Sequence, residues 1–191
     1  MGNILRKRHL VDRSGHTTEK GFEVLRLLLE NARMRSERLP LETWKELGRG
    51  GGIFVPVPIE MVISCDRGRG REIFLARRPA TDPDFPGLLH VPGVYLKPGE
   101  EMFDTCQRIA KDELPGITVT EVIDVIGTSN NRRNPRFHDF SAITVVRYIG
   151  EPESSTDGGW YLLNEQPPEN MISWHRTSLW PQIQTWAFFS E

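Results

Sequence analysis

The fold of this chain is decided by residues 91–117, which read VPGVYLKPGEEMFDTCQRIAKDELPGI. Apolar side chains recur there at helical spacing, about 100° apart per residue, and predict a helix over residues 101–114. Pro115 ends the helix, because proline has no N–H to donate and clashes with the preceding turn. The apolar stripe of the helix is formed by Met102, Cys106, Ile109 and Ala110, with Phe103 and Leu114 at its edges.

Two carboxylates lie near the C-terminal end of this predicted helix. On the helical wheel Glu113 projects into the apolar stripe, and Asp112 lies on its flank. A carboxylate aimed at the core destabilises the fold unless it is compensated, and a divalent cation with oxygen ligands would compensate it. Glu113 can instead bend outward, because Pro115 leaves the helix end frayed. The wheel alone leaves both interpretations open.

The order of residues in this segment resembles the Nudix box, whose pattern is G-x5-E-x7-R-E-U-x-E-E-x-G-U with U a bulky aliphatic residue. Glu100 and Arg108 have the spacing of the first Glu and the Arg of that pattern. Asp112 and Glu113 match its Glu-Glu pair. The resemblance covers roughly residues 55–165. It implies an α+β fold, the Nudix α/β/α sandwich with a mixed sheet.

The resemblance also implies chemistry. In the family the box forms a loop-helix-loop that binds Mg²⁺ or Mn²⁺, and metal-activated water attacks a diphosphate linkage. By position, the implied metal ligands are Glu100, Asp112, Glu113 and the backbone carbonyl of Val94. Arg108 and Glu113 are the implied catalytic residues of the box.

Three features depart from the box. Val94 stands where a Gly is usual, Ile109 replaces the Glu that follows the Arg, and residues 114–116 hold one extra residue. A backbone carbonyl near Val94 can still serve as a ligand. Ile109 removes a carboxylate that commonly binds metal or acts in proton transfer. We therefore expect hydrolysis that is slow, or that draws its base from another element.

One branch of the family, the GDP-mannose mannosyl hydrolases, lacks the same Glu. The run RIAKDELPG at residues 108–116 is similar to the box of that branch. Those enzymes take a His base from a later loop, and residues 154–160 do not match that loop. The similarity suggests sugar-nucleotide chemistry without identifying the substrate.

A replacement base has two candidates outside the box. His138 is predicted at the start of a strand, and Asp157 lies in a Gly-flanked turn. Histidine titrates in the range that general-base catalysis needs, although a single His at a strand edge is more often a surface residue. We interpret His90 and His175 as structural residues.

Several arginines are candidates for holding substrate phosphates, because a guanidinium can bind a phosphate through two parallel hydrogen bonds. A polar Arg-rich loop is also typical of a simple solvated surface. The candidates are Arg77, Arg78, Arg132 and Arg133, with Arg136 in the same loop as the last two. The 5 Trp residues favour core or interface packing, although any of them could stack on a base.

The bulk properties are typical of a globular cytoplasmic protein. The 191 residues allow one domain with an appendage, and the net charge of -2 gives no reason to expect nucleic-acid binding. No segment approaches the roughly 20 apolar residues of a membrane span. Cys65 and Cys106 lack metal-type spacing, so we expect two buried free thiols, which suits a reducing cytosol.

Outside the box, the sequence predicts an N-terminal helical extension over residues 1–52 and a Nudix domain over residues 53–191. Helices are predicted at 19–36 and 41–47, followed by a glycine-rich linker at 48–52. The leucine-rich helix at 19–36 either packs on the domain or forms a homodimer interface.

Strands are predicted on both sides of the box helix, separated by loops at residues 78–87 and 128–136. The turn at 66–71 joins two of the strands in a predicted hairpin. The strands are predicted at residues 56–65, 72–77, 88–95, 117–127, 138–149 and 160–163, and a C-terminal helix at 171–188.

Two functions of different class fit these patterns. The first is a metal-dependent hydrolase of a small-molecule nucleoside diphosphate linked to another moiety, with a sugar nucleotide as the favoured substrate. The second is a catalytically attenuated Nudix-fold protein that binds a nucleotide or a protein partner. The four matching residues of the box favour the first function, whereas Val94, Ile109 and the insertion at Pro115 favour the second.

Overall fold

The structure, a computed structural model, describes Thr18, Glu23 and residues 55–97, 99–136 and 138–190. Glu23 is helical. The rest of the predicted N-terminal helices and the glycine-rich linker lie outside the described residues, and the boundary at residue 52 stays a prediction.

In the described part of the chain, the order of elements agrees with the sequence-based expectation. The box helix and the long strands after it are confirmed, and the first of these strands extends further than predicted. The elements are β1 (Pro58–Val62), β2 (Ser64–Asp66), β3 (Arg71–Arg77), β4 (Leu89–His90), β5 (Gly93–Tyr95), α1 (Met102–Glu113), β6 (Ile117–Asn131), β7 (Asp139–Gly150), β8 (Gly158–Leu162), a π-helical turn (His175–Leu179) and α2 (Trp180–Phe189).

The strands form two sheets. The first has the order β5-β1-β7-β6, in which β1 and β7 are parallel and the other neighbours are antiparallel. In the second sheet β3 pairs with β2, β4 and β8, always antiparallel. The mixed sheet and the small number of helices make this an α+β fold, as predicted.

Apolar side chains pack on both faces of the first sheet. Side chains alternate along β1, so Ile59 and Met61 face α1 while Val62 faces the other way. One buried cluster therefore joins the sheet to α1 and the other joins it to α2, which gives the expected α/β/α sandwich. Cluster members on the helices are Cys106, Ile109, Ala110, Trp180 and Ile183.

Helix α1 begins and ends where its local chemistry dictates. Glu101 and Asp104 form a capping box, in which each side chain accepts a hydrogen bond from the other's backbone N–H. After the helix, Gly116 has a φ of 95°, and a side chain there would overlap the Glu151 carbonyl oxygen. The predicted stripe is buried, with Cys106 and Ile109 0% exposed.

Two predicted strands are each divided between the sheets. The chain leaves the first sheet at Ile63, so the single strand predicted at 56–65 is replaced by β1 in one sheet and β2 in the other. Residues 88–95 likewise form β4 and β5 in different sheets, separated at Pro92, whose ring nitrogen has no hydrogen to donate to a ladder. The division of one predicted strand between two sheets depends on which distant strands it pairs with, and local periodicity does not predict that pairing.

Both cysteines are free thiols. Cys106 is fully buried as expected, whereas Cys65 is only partly buried because it lies on the three-residue strand β2. Among the described helices, none has the length and apolar character needed to span a membrane.

Candidate active site

The last residue of α1 meets the start of β5. Glu113 Oε2 accepts a hydrogen bond from the Gly93 backbone N–H at 3.2 Å and lies 3.8 Å from His90 Nε2. The Glu113 side chain is 18% exposed. The Glu113 side chain therefore neither enters the apolar core nor extends freely into solvent. Instead it joins the end of α1 to the loop at the start of the box.

A second carboxylate of the box is held by an arginine on the same helix. Arg108 donates to both oxygens of Glu100, from Nε at 2.9 Å and from Nη2 at 2.7 Å. The Lys97 backbone and the Thr105 hydroxyl also donate to Glu100 Oε2, and Arg108 donates to the Tyr95 carbonyl at 2.8 Å. These bonds fix the loop before α1 onto the helix.

This pairing predicts how stability depends on pH. Burial opposes ionisation of Glu100, but the hydrogen bonds from Arg108, Lys97 and Thr105 prevail and lower its pKa to about 2. A depressed folded-state pKa contributes stability above the usual pKa of 4.5, and this stability is lost as the pH falls towards 2. Glu100→Gln should therefore cost about 1–2 kcal/mol of unfolding free energy at pH 7, and less at lower pH.

Urea unfolding of both proteins between pH 7 and pH 3 measures this effect. A difference in unfolding free energy that stayed constant over that range would show that the Glu100 charge does not stabilise the fold. Glu165, which is exposed, provides the matched Glu→Gln control.

The other box positions differ in their surroundings. Asp112 is exposed on α1, and Val94 is partly buried in β5, where it pairs with Ile59 of β1. Ile109 is 0% exposed and packs in the cluster between α1 and the first sheet. The structure thus brings Glu113 to the box loop and leaves no carboxylate at position 109.

Two buried acids lie on the first sheet, and the sequence analysis assigned no role to either. Glu60 on β1 is 4% exposed and lies directly opposite Gly93 on β5. Asp139 at the start of β7 is 1% exposed and accepts hydrogen bonds from Asn131 and Asn134. A Glu flanked by apolar residues on both sides, as in PIEMVI, was the available signal for the first acid.

The surroundings of these acids oppose ionisation. Burial raises the pKa of Glu60 well above its usual value; Arg78 acts against this shift, and the negative charges of Asp139 and Glu113 add to it. Burial also raises the pKa of Asp139, although its two asparagine partners act in the opposite direction. The described side chains therefore offset only part of the cost of ionising these two acids.

The candidate phosphate-binding arginines fall into distinct groups. Arg77 donates to Asp157 Oδ1 at 3.1 Å and to the Gly87 carbonyl at 2.9 Å. The buried Nε of Arg78 has no hydrogen-bond partner within the described residues. Arg132 and Arg133 are exposed in the turn between β6 and β7.

Arg136 is already occupied by other protein groups. It donates to both oxygens of Asp82 and to Asp84 Oδ2, which ties the segment between β6 and β7 to the loop after β3. Its guanidinium carbon lies 5.2 Å from the centre of the Phe85 ring. These contacts indicate a structural clamp.

The histidines also separate by environment. His138 is exposed, and its Nε2 lies 2.6 Å from Asn130 Oδ1. His90 and His175 are each 2% exposed, and burial together with the nearby Arg78 lowers the pKa of both well below the usual value. Both buried rings are therefore neutral at pH 7. Of the two candidate bases, Asp157 lies with Arg77 and His138 with Asn130.

The donor set at Gly93 fits a divalent cation. The Val91 carbonyl accepts a hydrogen bond from His90 Nδ1 at 2.8 Å, so neutral His90 presents a lone pair on Nε2 towards Glu113 Oε2. Two acceptors that face each other favour a positive charge between them. Across the described ranges no three His, Cys, Asp or Glu groups enclose a metal by themselves. Mg²⁺ needs no such cage, because one or two carboxylates with water and substrate phosphates usually hold it.

Comparison with known proteins gives an independent result. The sequence model of the NUDIX domain matches residues 59–179, which is more than half of the chain. A comparison with curated proteins by sequence finds no significant match.

Solved structures share this fold at low sequence identity. A MutT NUDIX hydrolase from Burkholderia pseudomallei has a TM-score of 0.53 at 20% identity, covering 68% of this chain and 98% of its own. The NUDIX domain of Shewanella oneidensis NrtR, complexed with ADP ribose, has a TM-score of 0.50 at 17% identity, covering 78% and 98%. The Ap4A hydrolase of C. elegans has a TM-score of 0.51 at 15% identity, covering 72% and 100%.

Proposed function

This chain belongs to the Nudix family, and from that premise we propose that it is a metal-dependent hydrolase of a nucleoside diphosphate linked to another moiety. The observation that carries the proposal is the contact between Glu113 and Gly93, which brings the last carboxylate of the box helix to the box loop. We favour a sugar nucleotide as substrate, because the run at residues 108–116 is similar to the GDP-mannose mannosyl hydrolase box.

We propose two roles for the residues of the box: some bind the metal, and others position the loop. We assign Glu113, Asp112 and the backbone carbonyl of Val94 to Mg²⁺ or Mn²⁺. When bound, the cation neutralises charge on phosphoryl oxygens and makes water nucleophilic near neutral pH. Glu100 stood in the expected ligand set, but its oxygens already accept hydrogen bonds from Arg108, so we propose that this pair positions the loop.

Substrate binding is assigned first to Arg78. Its buried Nε lacks a partner within the described residues, and its charge acts on Glu60, His90 and His175; both observations support a role in binding substrate. A diphosphate oxygen can accept the hydrogen bond that Nε offers. Arg132 and Arg133 are proposed as outer contacts, whereas Arg77 first has to leave Asp157.

Replacing Arg78 with Ala should raise KM for the diphosphate substrate about 10–100-fold, because a hydrogen bond from a charged group is lost. We expect a smaller change in kcat and little change in melting temperature. Arg147→Ala, which removes an exposed arginine paired with Glu121, is the control. A variant that melted earlier yet kept its KM would assign Arg78 to stability instead of binding.

The proton acceptor is proposed to come from outside α1, since Ile109 supplies no carboxylate. His138 keeps this role as a proposal, with its approach to the substrate requiring release from Asn130. Measured rates of the His138→Ala variant test the assignment: a base should contribute about 10²–10⁴-fold. A wild-type rate that survives this substitution would place the base elsewhere.

The second candidate function is binding without efficient hydrolysis. The observation in its favour is Ile109, which is buried in the core where the family pattern has a carboxylate. A protein of this kind would bind a nucleotide or a protein partner through the same fold.

A substrate screen separates the two functions. Nucleotide sugars, dinucleotides and nucleoside triphosphates are each incubated with Mg²⁺ and with Mn²⁺, and the products are identified by chromatography. We expect hydrolysis of a diphosphate-linked compound that EDTA abolishes. Nucleotide binding by calorimetry without turnover in any of these classes would favour the second function.

A further inference from the structure

Glu60 is a buried acid at the edge of the box that the family pattern does not include. It is the Cα partner of Gly93 in the β1–β5 ladder. A methyl group on Gly93 would overlap Glu60 Oε2 and come within 2.8 Å of the Ile59 carbonyl oxygen. The Glu60 carboxylate therefore lies over Gly93, in the space that the missing side chain leaves open.

Gly93 is also the residue that binds Glu113. Its backbone N–H donates to Glu113 Oε2, so two carboxylates from different elements approach one residue. Alternation along β1 sends Ile59 and Met61 towards α1, and Glu60 to the opposite face. The two acids consequently reach Gly93 from different sides, one from the end of α1 and one across the strand pair.

The Glu60 carboxylate has little compensation from the protein itself. Among the described residues, its hydrogen bonding is limited to a 3.4 Å contact from Ser141 Oγ to Oε1, and no basic side chain forms an ion pair with it. The nearby charge of Arg78 favours ionisation of Glu60, whereas its acidic neighbours Asp139 and Glu113 oppose it. A buried carboxylate with such neighbours costs stability unless a cation or a proton is supplied.

We propose that Glu60 binds the metal together with Glu113. In this role Glu60 replaces the carboxylate that the family pattern has at position 109, where this chain has isoleucine. This inference rests on the proposed metal-dependent function. The usual position on the helix is filled by an apolar side chain in the core, whereas Glu60 brings an oxygen to the same loop from β1. Two carboxylates with water and phosphate oxygens form a sufficient set for Mg²⁺.

The experiment is a titration of the full chain with Mn²⁺ alone, followed by calorimetry and by the electron paramagnetic resonance signal of free Mn²⁺. The variants are Glu60→Gln and Glu113→Gln, with Glu72→Gln as the matched control. Glu72 is a strand carboxylate that is 1% exposed, so its substitution changes a buried charge equally far from solvent, but in the second sheet. We expect Glu60→Gln to weaken Mn²⁺ binding at least tenfold and Glu72→Gln to leave it unchanged.

Thermal melting gives a second readout that needs neither turnover nor substrate. In EDTA, Glu60→Gln should melt at the same temperature as wild type or higher, because a buried acid whose ionisation its surroundings oppose has been replaced by a neutral amide. In saturating Mn²⁺ the order should reverse, since wild type gains more from the metal by mass action. Glu60→Asp retains the charge on a shorter side chain and should bind Mn²⁺ with intermediate affinity, which keeps the test available if the glutamine variant does not fold.

The outcomes separate this inference from the proposed function. If Glu113→Gln loses Mn²⁺ and Glu60→Gln binds it as wild type does, Glu60 is not a ligand and the proposed function stands. If wild type binds no Mn²⁺ at millimolar concentration, both are wrong. Equal weakening by Glu60→Gln and Glu72→Gln would also overturn the inference, because the effect would then come from the fold in general.

Discussion

Glu113→Gln should abolish the rise in melting temperature that Mg²⁺ or Mn²⁺ gives the wild-type protein. Glu113 is the acid that α1 brings to Gly93, and its Oε2 faces the lone pair of His90 at 3.8 Å. An amide is a weaker ligand than a carboxylate and carries no charge. A ligand at 100 times its Kd stabilises a fold by about 2.7 kcal/mol, and this contribution should vanish.

Activity should fall with it. We expect a loss of about 10²–10³-fold in kcat, the size typical for one positioned electrostatic group in an active site. Melting curves in EDTA and in millimolar Mn²⁺, together with rates on the best diphosphate substrate, measure both effects. Glu165→Gln, at an exposed position away from the box, is the control.

A different result would change the assignment. If Glu113→Gln retains the full metal-dependent shift, the metal is held elsewhere in the chain. If the variant melts far below wild type even in EDTA, the hydrogen bond to Gly93 has a structural role that must be separated from metal binding. Glu113→Asp, which keeps the charge, then shows whether charge or side-chain length matters.

The sequence predicts the box helix well because everything that defines it is local. The apolar stripe, the acidic residues at its start and Pro115 at its end all lie within one run of chain. The spacing of Glu100 and Arg108 matched the box pattern, but their pairing through two hydrogen bonds was not predicted, because Glu100 was expected to bind metal.

The partners of the site from other elements were not predictable in the same way. Which strand lies opposite Gly93 depends on the pairing of β1 with β5, and local periodicity carries no information about that pairing. Glu60 therefore looked like an ordinary strand residue. The arginine-rich loop gave a similar difficulty, because Arg136 finds its acidic partners Asp82 and Asp84 more than 50 positions away.

The wheel also treated positions 109 and 113 as neighbours on one arc, and the structure separates their environments. Ile109 is 0% exposed in the core cluster, whereas Glu113, one turn later, reaches the box loop with 18% of its side chain exposed. A helical wheel gives the direction of a side chain around the helix axis, but not how deeply that side chain is buried. Only the packing against β1 shows where the core ends and the polar site begins.

Ile109→Glu should destabilise the metal-free protein by about 2–5 kcal/mol, because it places a charge among Ile59, Met61 and Cys106. Mn²⁺ should recover part of this loss if the introduced carboxylate can turn towards Glu113, as the family pattern requires. Ile109→Gln is the matched control, because glutamine has nearly the size and shape of glutamate but no charge. It should show the loss of unfolding free energy without the recovery in Mn²⁺. Urea unfolding in EDTA and in Mn²⁺ measures both changes.

The same variant decides between a damaged enzyme and a binder. A positioned base typically contributes about 10²–10⁴-fold in rate, so regaining even part of that contribution should raise Mn²⁺-dependent hydrolysis at least about tenfold. Such a rise would show that the site is built for diphosphate hydrolysis and lacks one part. If wild type and the folded Ile109→Glu variant are both inert on every substrate class, yet both bind a nucleotide, then the missing carboxylate is not what limits the reaction. The buried isoleucine would then mark a Nudix domain whose function is binding, and the hydrolase proposal would be wrong.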